Sequence, residues 1–98
     1  MSLSIEFRRA ARAEFDRASD WYEQQRPGLG DKFTTAVRRV LARAAGQPDF
    51  YPPIQDDTRE GLVQGFPYCV YYREEPGRIM VLAVVHNARD LKVWQRRV

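Results

Sequence analysis

"RPGLG", Arg26 to Gly30, separates two apolar stripes and sets how they pack. Pro27 cannot continue a helical hydrogen-bond ladder, and Gly28 and Gly30 permit the positive φ of a turn. Upstream, Ala11, Phe15, Ala18 and Tyr22 recur at i, i+4, i+7 and i+11, one stripe of an α-helix that starts near Arg9. Downstream, Phe33, Val37, Val40, Leu41 and Ala44 form a second stripe. Two helices joined by so short a link pack antiparallel, as a hairpin. The outer face of the first mixes signs (Arg9, Arg12, Asp16, Asp20, Glu23). That of the second is basic (Lys32, Arg38, Arg39, Arg43). Gly46 is placed as the stop of the second helix, and Pro48 prevents a restart.

Outward from the hairpin the period changes to two. "LSIEF" puts Leu3, Ile5 and Phe7 on one face of a short strand. "QPDFYPPIQDDTR" reads as an irregular connector whose aromatics, Phe50 and Tyr51, tuck against the hairpin. Three strands follow, near Thr58 to Gln64, Tyr68 to Glu74 and Arg78 to Val85, the last two joined by the Pro-Gly turn of "REEPGR". "MVLAVV" is a continuous apolar run, as in a strand buried on both faces or central in its sheet. The order β-α-α-β-β-β is that of an α+β domain: an N-terminal strand, an antiparallel helical hairpin, and a three-stranded antiparallel sheet beneath it.

Ninety-eight residues make one domain, residues 1–98, and at 44% hydrophobic it has material for a core. The net charge is +3, and fourteen of the sixteen cations are arginine, a residue suited to bidentate contacts with carboxylate or phosphate. The single cysteine, Cys69, excludes an internal disulfide and fits a reducing compartment. With no apolar run of membrane-spanning length and no signal-peptide core, a cytoplasmic protein with no membrane contact is expected.

Catalytic chemistry is sparsely provided. There is no Gly-rich phosphate loop, His/Cys metal spacing or nucleophile elbow, so no cofactor, metal or small-molecule ligand is expected. Asp56 and Asp57 adjoin in the connector and serve either the loop or a cation. The remaining constellation is Arg59, which opens the first strand of the final three, with His86, Arg89, Lys92, Trp94, Arg96 and Arg97 after the last. Gathered at one sheet edge, these residues would make a basic patch with an aromatic in it, suited to a phosphodiester or an acidic peptide. His86 reads first as a structural imidazole that ends a buried strand, and in the functional reading as an acid or base. Whether Arg59 reaches it depends on strand register.

The segments "AARAEFDRASDWYEQQRPGLGDKF", "FPYCVYYR" and "VVHNARD" with the following tryptophan and arginine resemble the RelE/ParE superfamily of type II toxins, its ParE-like plasmid-stabilisation branch above all. The resemblance spans about Ile5 to Arg97. It implies the same β-α-α-β-β-β order, a cognate antitoxin protein as partner, and inhibition of DNA gyrase. The alternative it implies is a RelE-like enzyme that cuts messenger RNA on the ribosome. That branch relies on a basic cluster from the sheet and often on a late tyrosine or histidine. This chain departs from it: every tyrosine precedes Arg73, and neither Lys32 nor Lys92 lies in a strand. Non-enzymatic gyrase inhibition is therefore the leading expectation, and the resemblance then implies Arg59, His86, Arg89, Trp94 and Arg97 as target-binding residues; in the RelE-like alternative Arg59, His86 and Arg89 are the catalytic candidates. The antitoxin is expected to bury an apolar groove beside the hairpin and to meet arginines with acidic side chains.

Overall fold

Both apolar stripes form helices, α1 (Arg9–Gln25) and α2 (Leu29–Gly46), in a computed structural model that describes residues 2–87. Every residue of the second stripe is buried, as are Ala11, Phe15 and Ala18 of the first, with Tyr22 half-buried at its end. The two turn glycines do different work. Gly28 has φ 89° and nothing within 4 Å of where a Cβ would sit, so it supplies the left-handed turn. Gly30 lies inside α2, where a Cβ would meet the Ser19 carbonyl at 2.7 Å and Glu23 Oε1 at 2.9 Å. It is small because α1 is close.

Five strands make one sheet: β1 (Ser4–Phe7), β2 (Pro53–Gln55), β3 (Thr58–Leu62), β4 (Tyr68–Glu75) and β5 (Arg78–His86), in the order β1-β5-β4-β3-β2. The α+β class holds, but the expected three-stranded sheet gains a strand at each edge. β1 joins β5 in parallel, Ser4 opposite Arg78 and Phe7 opposite Val81. No turn connects those two strands, so no local signal in the sequence marks the pairing. β2 forms where the sequence predicts an irregular connector; Pro53 is tolerated because an edge strand need not donate outward. Asp56 and Asp57 then make the two-residue turn from β2 into β3, with Asp56 at φ 51°, a conformation Asp adopts more readily than most residues. The Pro76-Gly77 turn joins β4 to β5 as predicted, with Glu75 opposite Arg78.

β5 lies between β1 and β4, and a bulge explains its unbroken apolar run. Tyr71 pairs with Ala83 and Tyr72 with Val81, so Leu82 is an extra residue. The bulge reverses the alternation. Ile79 and Val81 before it, and Val84 after it, join the core under the hairpin; Ala83 and Val85 turn to the other face with Cys69 and Tyr71. On β3, Gly61 passes under α2, where a Cβ would come 2.5 Å from Val40 Cγ1. Leu3 and Phe7 are half-buried against the same core, whereas Ile5, between them, stays 39% exposed at the sheet edge.

Gly30→Ala therefore drives a methyl group into the backbone of α1. Overpacking of that kind costs about 2 kcal/mol, roughly 10 °C in Tm for a domain of this size. Gly28→Asn keeps a residue that tolerates positive φ and should shift Tm far less. Thermal unfolding of the two variants checks this; equal losses would contradict a packing role for Gly30.

Candidate functional site

The hairpin end of α1, the start of β4 and the end of β5 line a groove of about 600 Å³. Its α1 wall is Glu14, Arg17 and Trp21, spaced i, i+3 and i+7, with Tyr22 at the rim. Its sheet wall is Tyr68, Val84 and His86. Beneath it sits an aromatic cluster that draws distant parts of the chain together. The Tyr22 ring lies 4.9 Å from Phe66 and 5.1 Å from Phe33, and Tyr68 lies 6.1 Å from Tyr22 and 5.4 Å from His86. The segments "YEQQRPGLG", "FPY" and "VVH" thus converge on one place.

Each wall has a physical cause. The register sets His86 opposite Tyr68, and their rings meet edge to face at 73°. β1 ends at Phe7 and the chain turns into α1, whose Glu14 carboxylate accepts the Val84 amide at 3.0 Å. Trp21 packs edge-on against Tyr22 at 5.1 Å yet remains 55% exposed. The Arg17 side chain is exposed at the rim and forms no ion pair among the described residues. An exposed tryptophan over an apolar floor, with one unpaired arginine beside it, is suited to an apolar side chain accompanied by a carboxylate.

Of the residues singled out from sequence, His86 lines this groove and Arg59 does not. Arg59 faces Tyr72 and His86 faces Tyr68, four residues along β4 and on opposite sides of it. That offset puts their backbones roughly 16 Å apart. The Arg59 guanidinium turns under the hairpin side and donates to the carbonyls of Tyr51 at 2.7 Å and Asp49 at 3.3 Å. Beside it the Tyr72 hydroxyl donates to the Pro48 carbonyl at 2.9 Å. Together they fasten the loop after α2. The joint patch of Arg59 and His86 does not form. Arg89, Trp94 and Arg97, with Lys92 and Arg96, lie outside the described residues.

The other cations of the sheet are paired. Arg73 holds Glu75 at 2.9 Å, and Arg78 bridges Glu75 at 2.9 Å and Glu6 at 3.1 Å. The sheet face away from the hairpin carries Tyr71, which donates to Glu60 at 2.7 Å, and Cys69, whose thiol donates to Asn87 at 2.7 Å. Burial pushes the Cys69 thiol up to about 11, with Glu60 adding to the effect, so it is no thiolate nucleophile. Among the described residues no group of three or more His, Cys, Asp or Glu side chains is placed to hold a metal ion. Nor is any helix there long and apolar enough to cross a membrane.

Trp21, Arg17 and Glu14 escape a reading that follows the buried stripe of α1 alone. Their i, i+3, i+7 spacing, one position off that stripe and ending in a tryptophan, is the signal the sequence offers for them.

A family model described as ParE toxin of type II toxin-antitoxin system, parDE, matches residues 5–91. Among solved structures, one titled "Chromosomal ParDE TA system from P. aeruginosa" superposes with a TM-score of 0.72 at 17% identity. The match covers 87% of this chain and 96% of that one. A comparison with curated proteins finds no match.

The buried phenol and thiol give a pH signature. Burial raises Tyr72 to about 12, opposed in part by Arg59, and Cys69 to about 11, from ordinary values of 10.0 and 9.0. The folded state keeps protons that the unfolded chain releases. Stability from these groups is full below about pH 9 and falls as pH rises from there towards 12. Tm measured from pH 7 to 11 should decline above 9, and less steeply in Tyr72→Phe. A flat profile to pH 11 would contradict the burial.

Proposed function

The chain belongs to the ParE toxin family of type II toxin–antitoxin systems, and from that premise we propose that it inhibits DNA gyrase and is neutralised by a cognate antitoxin seated in the groove between α1 and the end of β5. The carrying observation is the β3–β4–β5 register. It separates Arg59 from His86 and commits Arg59 to two backbone carbonyls. Cutting RNA in the RelE manner calls for several free cations around one phosphate, with an acid or base beside them. Here Arg73 and Arg78 are engaged by Glu75 and Glu6, and Arg59 by the loop it fastens. What remains along the described edge is a binding groove with one imidazole, which supports obstruction of a macromolecular target over catalysis. His86 serves there as a contact, and Arg89, Trp94 and Arg97 are assigned to the target-facing edge that follows it. Gyrase acts on chromosomal DNA, so the site of action is the cytoplasm.

The antitoxin segment that fits the groove presents an apolar or aromatic side chain to Trp21 and Tyr22 and a carboxylate to Arg17. Its affinity rests mainly on apolar burial, so it weakens only modestly with salt.

With purified gyrase and supercoiled plasmid, the toxin should cause cleaved DNA to accumulate, and addition of the antitoxin should abolish this. No cleavage at excess toxin, together with discrete cuts in a defined message on ribosomes that vanish in His86→Ala, would replace the gyrase reading with the RelE-like one. For the groove, calorimetry with the antitoxin should show Trp21→Ala weakened roughly 30-fold or more, since central aromatic contacts contribute about 2 kcal/mol and upwards. Unchanged affinity in Trp21→Ala would place the antitoxin elsewhere.

A further inference from the structure

We propose that the outer face of α2 is a contact surface for the phosphate backbone of duplex DNA, separate from the groove. The helix uses one side for the core, where Phe33, Val37, Val40, Leu41 and Ala44 are all buried. The opposite side carries Lys32, Arg39 and Arg43, all exposed, at i, i+7 and i+11. Those intervals keep the three within about 40° around the axis and spread them over roughly 16 Å along it. Arg38 lies about 100° around the helix from Arg39, outside the row. Between Arg39 and Arg43 the helix surface is a shallow depression lined by Ala42, Gly46 and Gln47, small enough in relief for a phosphate group to sit between the two guanidinium groups.

The two helices differ in how their charges are used. α1 mixes signs, and its Arg12 pairs with Asp16 at 3.3 Å. On α2, Asp31 in the first turn is the only acid. Among the described residues Lys32, Arg38 and Arg39 form no ion pair, while Arg43 lies over the Phe50 ring, 4.5 Å from its centroid. Asp49 is an exposed acid in the loop that follows, and the carbonyl end of α2 also disfavours anions near Gly46. Arg43, in the last turn, offsets both; Lys32 and Arg39 lie clear of them.

Nucleic acid fits this row better than the other polyanions. A membrane-binding helix needs an apolar face to sink into the bilayer, and that of α2 is consumed by the core. A protein partner needs an apolar centre to bury, and between the cations the exposed surface is Thr35, Ala42 and Gly46. What is left is sequence-independent neutralisation of phosphates, the kind of contact that makes a protein slide on DNA rather than read it. It adds to the gyrase proposal a direct hold on the DNA that gyrase cleaves, yet its test contains no gyrase, so either can fail alone.

The test is fluorescence anisotropy of a labelled 20-base-pair mixed-sequence DNA duplex with the purified chain, titrated at several salt concentrations. The log–log slope of affinity against salt should be near −3, as expected for about three phosphates neutralised. Lys32→Gln/Arg39→Gln, which leaves the Arg43–Phe50 contact intact, should flatten the slope by about two and weaken binding about tenfold or more at 0.1 M salt. Arg8→Gln/Arg9→Gln removes the same charge from the start of α1 and should leave binding nearly unchanged. Equal losses in both variants would reduce the effect to net charge and overturn the proposal. So would absence of binding by the unaltered chain, or α2-dependent binding to phosphatidylserine vesicles without binding to the duplex.

Discussion

The first amides of a helix lack intrahelical carbonyl partners; at the start of α2 the Leu29 amide reaches back to the Arg26 carbonyl at 3.0 Å, and the residue in the capping position, Gly28, has no side chain to offer the others. Glu23, on the last turns of α1, supplies the missing oxygens. Its carboxylate accepts the Gly28 amide at 3.0 and 3.1 Å and the Gly30 amide at 3.0 Å. A negative group at a helix N-terminus is favoured electrostatically as well as by hydrogen bonding. The consequence is geometric. The helix that ends at the turn caps the helix that begins there, so the offset between the two is fixed, with Gly30 against the Ser19 carbonyl and the Ser19 and Thr34 hydroxyls 3.0 Å apart. That offset brings Tyr22 alongside Phe33, and the two rings make the seat on which Phe66 and Tyr68 pack.

From that seat the groove follows. Tyr68 begins β4 and stands opposite His86, so fixing Tyr68 fixes the imidazole across from it. On the other wall, the chain leaves β1 at Phe7, and the Arg8 amide donates back to the Val81 carbonyl as α1 begins. Where a strand would continue beside β5, a helix passes instead, and Glu14 answers the Val84 amide from its side chain. A side chain reaches farther than a backbone, so the helix stands off from the sheet there. The gap is the groove. The Leu82 bulge contributes by bringing Val84 back to the hairpin side.

How much of this the sequence carries depends on the range of the interaction. Helix stripes, the Pro-Gly turn and the three C-terminal strands are specified by neighbours a few residues apart, and they are legible almost to the residue. The parallel β1–β5 pairing joins the two ends of the domain without a turn, and β2 hides behind prolines that argue against a strand. Gly30 reads as a second turn glycine, because a need for closeness and a need for positive φ select the same residue. Arg59 groups with His86 in sequence because both sit at strand ends. The register that separates them is fixed by cross-strand pairs, Arg59 with Tyr72 and Tyr68 with His86, that no single segment encodes. Trp21 is a different case, since its helical spacing from Glu14 and Arg17 is local and therefore legible in principle.

Fourteen arginines in 98 residues suggest a partner rich in carboxylate or phosphate, but composition does not say which of them are available. Their partners do. Arg59 is committed to loop carbonyls, Arg73 and Arg78 to Glu75 and Glu6, and Arg12 to Asp16 and the rings of Phe7 and Phe15. The ion pairs among these are partly or fully exposed and contribute about 1 kcal/mol or less each to stability, so their larger effect is to offset charge. Among the described residues Arg8, Arg9, Arg17, Arg26, Arg38 and Arg39, with Lys32, form no ion pair. Arg17 stands beside an apolar groove, where a single charge orients a partner held mainly by burial. Lys32, Arg38 and Arg39 lie on a helix face with no exposed apolar centre, where charge is the only attraction on offer. Two surfaces of one small basic domain are thereby suited to two different kinds of partner, and the division is set by what surrounds each unengaged cation.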